Sequence, residues 1–272
     1  GVGVVEEIGR DVNEFEIGEH VYYRHNSPLQ RQDGTSISPT SGTHCSYVVL
    51  NVDENRGLEQ LADGVDPRTA SLFVMPAVGL HGASMARVGY RDRVAVVGAG
   101  LIGLGVVAAC VNAGAEVTVF DLDEQRLAMS KRFGAVRTVR VENGARSNDF
   151  EPYRESASIV FESTGISELI DRALAIVEPY GRFVWQGNYG DRAVSFQFIP
   201  VHMKQLQMVF PCNDGLEPSR RAVLRQMKSG ALPWDETITH TVAHTEAVSL
   251  YRRIIDEHDA GILGAVIDWS GA

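Results

Sequence analysis

Residues 94–103 read Val94-Ala-Val-Val-Gly98-Ala-Gly100-Leu-Ile-Gly103, an apolar run that passes straight into glycines spaced GxGxxG and then into further apolar residues. The run predicts a buried strand over 94–97 and a helix over 101–112, with the glycines in the turn between them. Each glycine has a distinct task in such a turn. Gly98 makes the tight bend, Gly100 lets a ligand approach the backbone, and Gly103 lets the helix pack closely on the strand. A diphosphate is then expected at the helix N-terminus, beside Leu101, Ile102 and Gly103, where free amides and the positive end of the helix dipole face its charge. Spaced glycines alone can be purely structural. Here a second strand over 116–120 leads to Asp121, about 20 residues further on, where a ribose-binding carboxylate is expected.

Working outward, the chain after Arg93 alternates strands and helices, the pattern of a parallel sheet with crossover helices. Helices are expected at 123–133 and 167–177, and strands at 158–162, 182–185 and 207–210. The fold class is therefore α/β, with a doubly wound parallel sheet over 77–212. A second, partly β lobe is expected from both chain ends, 1–76 and 213–272. Its β-prone runs are 3–6, 20–24 and 45–50. Residues 26–42 read as a surface loop, and a helix over 66–88 opens on Asp66-Pro67 and kinks at Pro76. The tail reads as helix 219–228, an extended piece at 237–241, helix 245–256 and a last strand at 265–269.

Composition narrows the partners. A formal charge of -10 opposes nonspecific attraction to nucleic acid or anionic lipid, so a small-molecule partner is expected. No stretch reaches the roughly 18 uninterrupted apolar residues of a membrane span. Cys45, Cys110 and Cys212 form no CxxC pair, which argues against a disulfide framework or zinc ribbon and suits a reducing cytoplasm.

Asp121 could also cap the helix that follows, but Asp123 is better placed for that. A carboxylate at the end of the second strand repels a 2′-phosphate, so NAD is expected rather than NADP. Arg126, in the next helical turn, is open between cofactor contact and a solvated face.

These residues resemble the zinc-type medium-chain dehydrogenases and reductases, the alcohol and polyol dehydrogenases. Further stretches carry the likeness: Gly-Val-Val-Glu-Glu-Ile-Gly at 3–9, Gly42-Thr-His-Cys-Ser-Tyr-Val-Val, Phe161-Glu-Ser-Thr-Gly165, Gly181-Arg-Phe-Val-Trp-Gln-Gly187 and Val266-Ile-Asp-Trp. The resemblance implies a Rossmann domain beside a GroES-like catalytic lobe. It also implies a homodimer or homotetramer, and hydride transfer between NAD and a secondary alcohol or polyol, with an alcohol or carbonyl compound as partner. It carries cofactor contact onto Ser163, Thr164 and Gly165, in the turn near the adenosine side and the nicotinamide ribose, and onto Gly187 and Asn188 under the nicotinamide. The alternative for both turns is ordinary strand-end chemistry.

The departures concern zinc. In zinc-type members a Cys and a Gly-His-Glu segment supply ligands ahead of the strand with which this sequence opens, which implies a segment preceding Gly1. A third ligand, Cys or an acid, stands where this chain has Phe73-Val-Met-Pro-Ala, and no side chain there suits zinc. The structural-zinc cysteines are also missing from 26–42. His25, His44 and His81 read as ordinary loop, strand and partly buried residues. His240 and His244 are four apart, but in a stretch that reads as extended. The sequence therefore assigns no catalytic side chain, and zinc is expected for the family without its ligands here. A zinc-independent quinone or enoyl reductase, and a nucleotide-binding subunit without turnover, remain the rival readings.

Overall fold

The computed structural model describes residues 1–24, 29–37, 43–52, 58–142, 148–191 and 193–271. The chain divides into two units, Gly1–Val74 with Leu216–Ala272, and Met75–Gly215. The first unit opens with β1 (Val2–Val4) and β2 (His20–Tyr22). A short hairpin follows, β3 (Leu29–Gln30) against β4 (Ser36–Ile37), inside the stretch read as loop; positions 25–28 and 38–42 lie outside the described residues. β5 (Glu59–Gln60) joins the other side of β2, giving the antiparallel order β1-β2-β5.

The expected strand at 45–50 does not form. Tyr47 is 72% and Val49 90% exposed, so the alternating pattern there has no core face to bury. The helix expected over 66–88 is two helices. α1 (Pro67–Ala70) is capped by Asp66, whose carboxylate accepts from the amides of Arg68 (3.4 Å) and Thr69 (3.0 Å). A turn then leads to α2 (Val74–Met85). Pro76 falls in the first turn of α2, where its missing N–H costs nothing, so the chain breaks before it instead of kinking at it.

The second unit is built on β6 (Arg93–Val97), buried from Val94 onward because sheet neighbours and helices cover both its faces. α3 (Leu101–Asn112) is buried over Gly103–Cys110, as a helix apolar on every side must be. There follow β7 (Glu116–Asp121), α4 (Glu124–Arg132), β8 (Arg137–Arg140), β9 (Ala157–Glu162), α5 (Ile170–Ile176), β10 (Val177–Trp185), α6 (Phe198–Lys204) and β11 (Gln207–Val209). The parallel order is β11-β10-β9-β6-β7-β8. Strand order reverses between β6 and β9, which puts the ligand crevice of such a sheet beyond their C-terminal ends. β8 and α6 had no counterpart in the sequence reading. β10 starts earlier than residue 182, with a register shift between Val177 and Arg182 at the Pro179-Tyr180-Gly181 bend. Val97, Phe120, Val160, Ile170, Ile176 and Phe183 lie in the core around this sheet.

The chain end returns to the first unit with α7 (Leu216–Ser229), β12 (Ile238–Ala243), α8 (Ala247–Ile255) and β13 (Gly264–Asp268), the last pairing parallel with β12. Tyr22, Leu61, Val65, Ala70, Phe73 and Leu224 form the core here, with the Tyr22 and Phe73 rings edge to face at 4.8 Å.

Candidate functional site

Every residue singled out for cofactor contact falls in the second unit, at the C-terminal ends of β6, β7, β9 and β10. Gly98 leaves β6 with φ +94°, a conformation that L side chains rarely adopt, and its amide donates to the Phe120 carbonyl at 2.8 Å. A Cβ on Gly103 would sit 1.9 Å from the Gly98 oxygen, so α3 starts against the turn only because that position is glycine. A Cβ on Gly100, by contrast, would meet nothing within 4 Å. The space over Gly100 is open. Gly100 is also the N-cap of α3 and offers no side-chain hydrogen bond, so the amides of Leu101 and Ile102 lack an intrahelical partner. The positive end of α3 thus faces open space with unused donors.

Asp121 ends β7 half-buried, and its carboxylate reaches back to the glycine turn. Oδ2 accepts from the Ala99 amide at 2.6 Å and Oδ1 from the Asp123 amide at 2.8 Å. A carboxylate has about four acceptor sites, so two remain for hydroxyl groups. Asp123 caps α4, accepting from the amides of Gln125 (2.7 Å) and Arg126 (3.0 Å). Arg126 therefore starts one turn beyond Asp121, with its Nε buried and without a hydrogen-bond partner.

The β9 and β10 turns meet this group from the other side of β6. A Cβ on Gly98 would lie 2.7 Å from Thr164 Cγ2, one on Gly165 2.5 Å from the Asn188 oxygen, and one on Gly187 2.5 Å from the Gly165 nitrogen. Ser163 donates its amide to the Val97 carbonyl at 2.8 Å, while its Oγ is buried and unpartnered. Sequence reasoning missed what joins the two turns. Glu162, fully buried at the end of β9, accepts from Thr164, Gly165 and Tyr189. An acid closing an otherwise apolar strand was the available signal. Tyr189 packs its ring on Trp185 at 5.6 Å, and burial together with its bond to Glu162 pushes its phenol well above the usual range.

The site fits a dinucleotide on its own terms: an open approach over Gly100, unused amides on α3, a carboxylate with spare acceptor sites, and buried polar atoms on Ser163 and Arg126 without partners. The fit to zinc is different. Among the described residues no three His, Cys, Asp or Glu side chains stand close enough to hold a metal ion. His240 lies on β12 with Nε2 3.2 Å from Arg253, whereas His244 stacks on Trp269 at 5.3 Å, so the two rings do not share a face. His44 is engaged with the Tyr251 hydroxyl at 2.7 Å, and His25 lies outside the described residues. No helix among the described residues is long and apolar enough to cross a membrane.

Comparison with known proteins bears on this arrangement. Residues 102–227 match the zinc-binding dehydrogenase family. D-xylulose reductase of Scheffersomyces stipitis is 26% identical over 280 residues, covering 92% of this chain and 76% of the relative. The zinc-type alcohol dehydrogenase-like protein YdjJ of Escherichia coli is 33% identical over 214 residues, covering 76% of this chain and 59% of that protein. Among solved structures, a Sinorhizobium meliloti 1021 protein classed as a zinc-binding dehydrogenase and bound to NADP has a TM-score of 0.73 at 17% identity, covering 92% of this chain and 77% of that one. At that identity the likeness speaks for the fold. The match over 102–227 and these sequence relatives make the chain similar to the zinc-type medium-chain dehydrogenases and reductases, and the relatives are oxidoreductases by name.

Proposed function

We propose that the chain is an NAD-dependent oxidoreductase that transfers hydride between the cofactor and a secondary alcohol or polyol. The observation that carries this reading is the glycine turn of β6 joined to the Asp121 carboxylate at 2.6 Å, with α3 presenting unused amides beside it. NAD when bound supplies the hydride acceptor, and the protein's contribution is orientation and electrostatics. The amides of Leu101 and Ile102 would donate hydrogen bonds to the diphosphate, which Gly98, Gly100 and Gly103 would allow to approach. Asp121 accepts from the adenosine ribose hydroxyls and repels a 2′-phosphate. Arg126 flanks that ribose. Ser163, Thr164 and Gly165 would line the cofactor between its adenosine side and the nicotinamide ribose, and Gly187 and Asn188 would form the floor under the ring. A polyol or secondary alcohol as substrate is supported by the sequence relative named a D-xylulose reductase. No step is assigned to zinc, because the described side chains do not offer it a ligand set.

The apolar Phe73–Pro76 stretch, where a ligand would be expected, favours a second reading as a zinc-independent reductase. Asp121 speaks against it through its poor fit to the NADPH that such reductases use. Incubation with NAD and a panel of secondary alcohols, pentitols and hexitols, followed by the absorbance of the reduced nicotinamide, tests the proposal. Reduction of NAD dependent on one of these substrates is expected. NAD binding with no turnover on any of them would favour a nucleotide-binding subunit instead.

A further inference from the structure

β9 is buried and apolar until its last residue. Glu162 pairs in register with Val97 of β6 on one side and with Trp185 of β10 on the other, so its side chain stands where the strand order reverses. A carboxylate placed there, fully buried, is costly unless donors surround it. Four do. Oε1 accepts from the Thr164 amide at 2.8 Å and from the Thr164 hydroxyl; Oε2 accepts from the Gly165 amide at 3.2 Å and from the Tyr189 hydroxyl. These fill the acceptor sites of the group with neutral dipoles. Three donors belong to the β9 turn and one to the β10 turn. The backbones of the two turns touch, since a Cβ on Gly187 would lie 2.5 Å from the Gly165 nitrogen and one on Gly165 2.5 Å from the Asn188 carbonyl oxygen.

We propose that Glu162 is a positioning residue whose carboxylate locks these two turns into a single surface for the nicotinamide half of the cofactor, with Tyr189 as the second half of the lock. The inference rests on the nucleotide reading above, and it divides the site. The adenosine half, made by the glycine turn and Asp121, is carried by β6 and β7 and meets Glu162 only through Thr164, whose methyl lies against Gly98.

The test is calorimetric titration of the full chain and its variants with NAD and with ADP, which lacks the nicotinamide half. Glu162→Gln keeps the shape but puts an NH2 where one acceptor stood, so one backbone amide loses its partner, the hydroxyl beside it can turn to accept, and the remaining bonds lose the charge that strengthens them. It should weaken NAD about 10- to 100-fold, the range for lost charge-assisted hydrogen bonds, and change ADP affinity less than about threefold. Tyr189→Phe keeps the ring on Trp185 and removes one bond, so it should shift NAD the same way by a smaller factor and leave ADP alone. It also decides the matter if Glu162→Gln does not fold. A merely structural role would weaken both ligands together. Wild-type protein that binds neither NAD nor ADP overturns the nucleotide reading and this inference with it. Wild-type binding of both, with an unchanged NAD-to-ADP ratio in the variants, overturns the lock alone.

Discussion

Alanine at Gly103 puts a Cβ 1.9 Å from the carbonyl oxygen of Gly98 and 3.0 Å from its carbon. Ordinary Cβ contacts begin near 3.4 Å, and the obstacle is backbone, not a flexible side-chain end. The start of α3 must then retreat by about 1.5 Å or the β6 turn must open, an overpacking that costs about 1–3 kcal/mol. For a chain of this size that lowers the melting temperature by roughly 2–4 °C per kcal/mol. Alanine at Gly100 meets nothing within 4 Å, and φ −68° with ψ −178° suits any residue. Its loss as a helix cap and its gain from a stiffer unfolded chain are each under about 1 kcal/mol and oppose one another. Stability should therefore hold. Binding should not, because the new methyl occupies the space through which a diphosphate would reach the amides of Leu101 and Ile102. One lost charge-assisted hydrogen bond, about 1.5–3 kcal/mol, corresponds to a 10- to 100-fold weaker complex. Thermal unfolding without ligand and calorimetric titration with NAD read the two effects separately. A Gly100→Ala variant that binds NAD like the wild type, or a Gly103→Ala variant that melts with it, refutes this reasoning.

Two further outcomes are expected. β11 forms an edge of the parallel sheet, and Phe198, Ile199, Met203 and Phe210 around it are exposed, so this edge should pair with a second copy; sedimentation should give a dimer or larger, and a monomer at micromolar concentration would count against it. At Asp66, burial raises the carboxyl but the hydrogen bonds from Thr69 and Arg68 outweigh it and hold it below the usual range. Because the folded value is the lower one, the cap's contribution is complete above the unfolded pKa and is lost as pH falls through the folded one. Asp66→Ala should cost about 1 kcal/mol at neutral pH, and the difference from wild type should close in acid; a gap that persists at low pH would contradict this.

What the sequence disclosed follows from the strength of its local signals. α3 spans the predicted residues because glycines bound it at the start and every interior position is apolar. Asp123 was legible as a cap because its side chain bonds locally. β8 was not, since Arg-Thr-Val-Arg has two interior residues and becomes a strand only by pairing with Thr118–Asp121 of β7. The error at 45–50 has the opposite cause: its β-prone alternation was real, but with Val49 90% exposed, burial does not back it. Glu162 escaped notice because its meaning lies in four donors, three from the next turn and one 27 residues further on, a grouping that only the packed β9 and β10 turns create. Asp121 was weighed only as ribose ligand or helix cap; its bond to the Ala99 amide, which ties the glycine turn to β7, arises only in the packed fold.

That double attachment makes Asp121 the most direct test of the central claim, that the chain holds NAD through the β6 turn and the β7 carboxylate. The measurement is calorimetric titration of wild type, Asp121→Ser and Asp123→Ser with NAD and with NADP. Wild type should prefer NAD. Asp121→Ser should weaken NAD about 10- to 100-fold through the lost ribose bonds, while NADP, freed of charge repulsion, holds or improves. Asp123→Ser, which keeps a capping hydroxyl, should leave the cofactor ratio where it was. If Asp121→Ser leaves the NAD-to-NADP affinity ratio unchanged, Asp121 is not the ribose carboxylate and the NAD assignment falls.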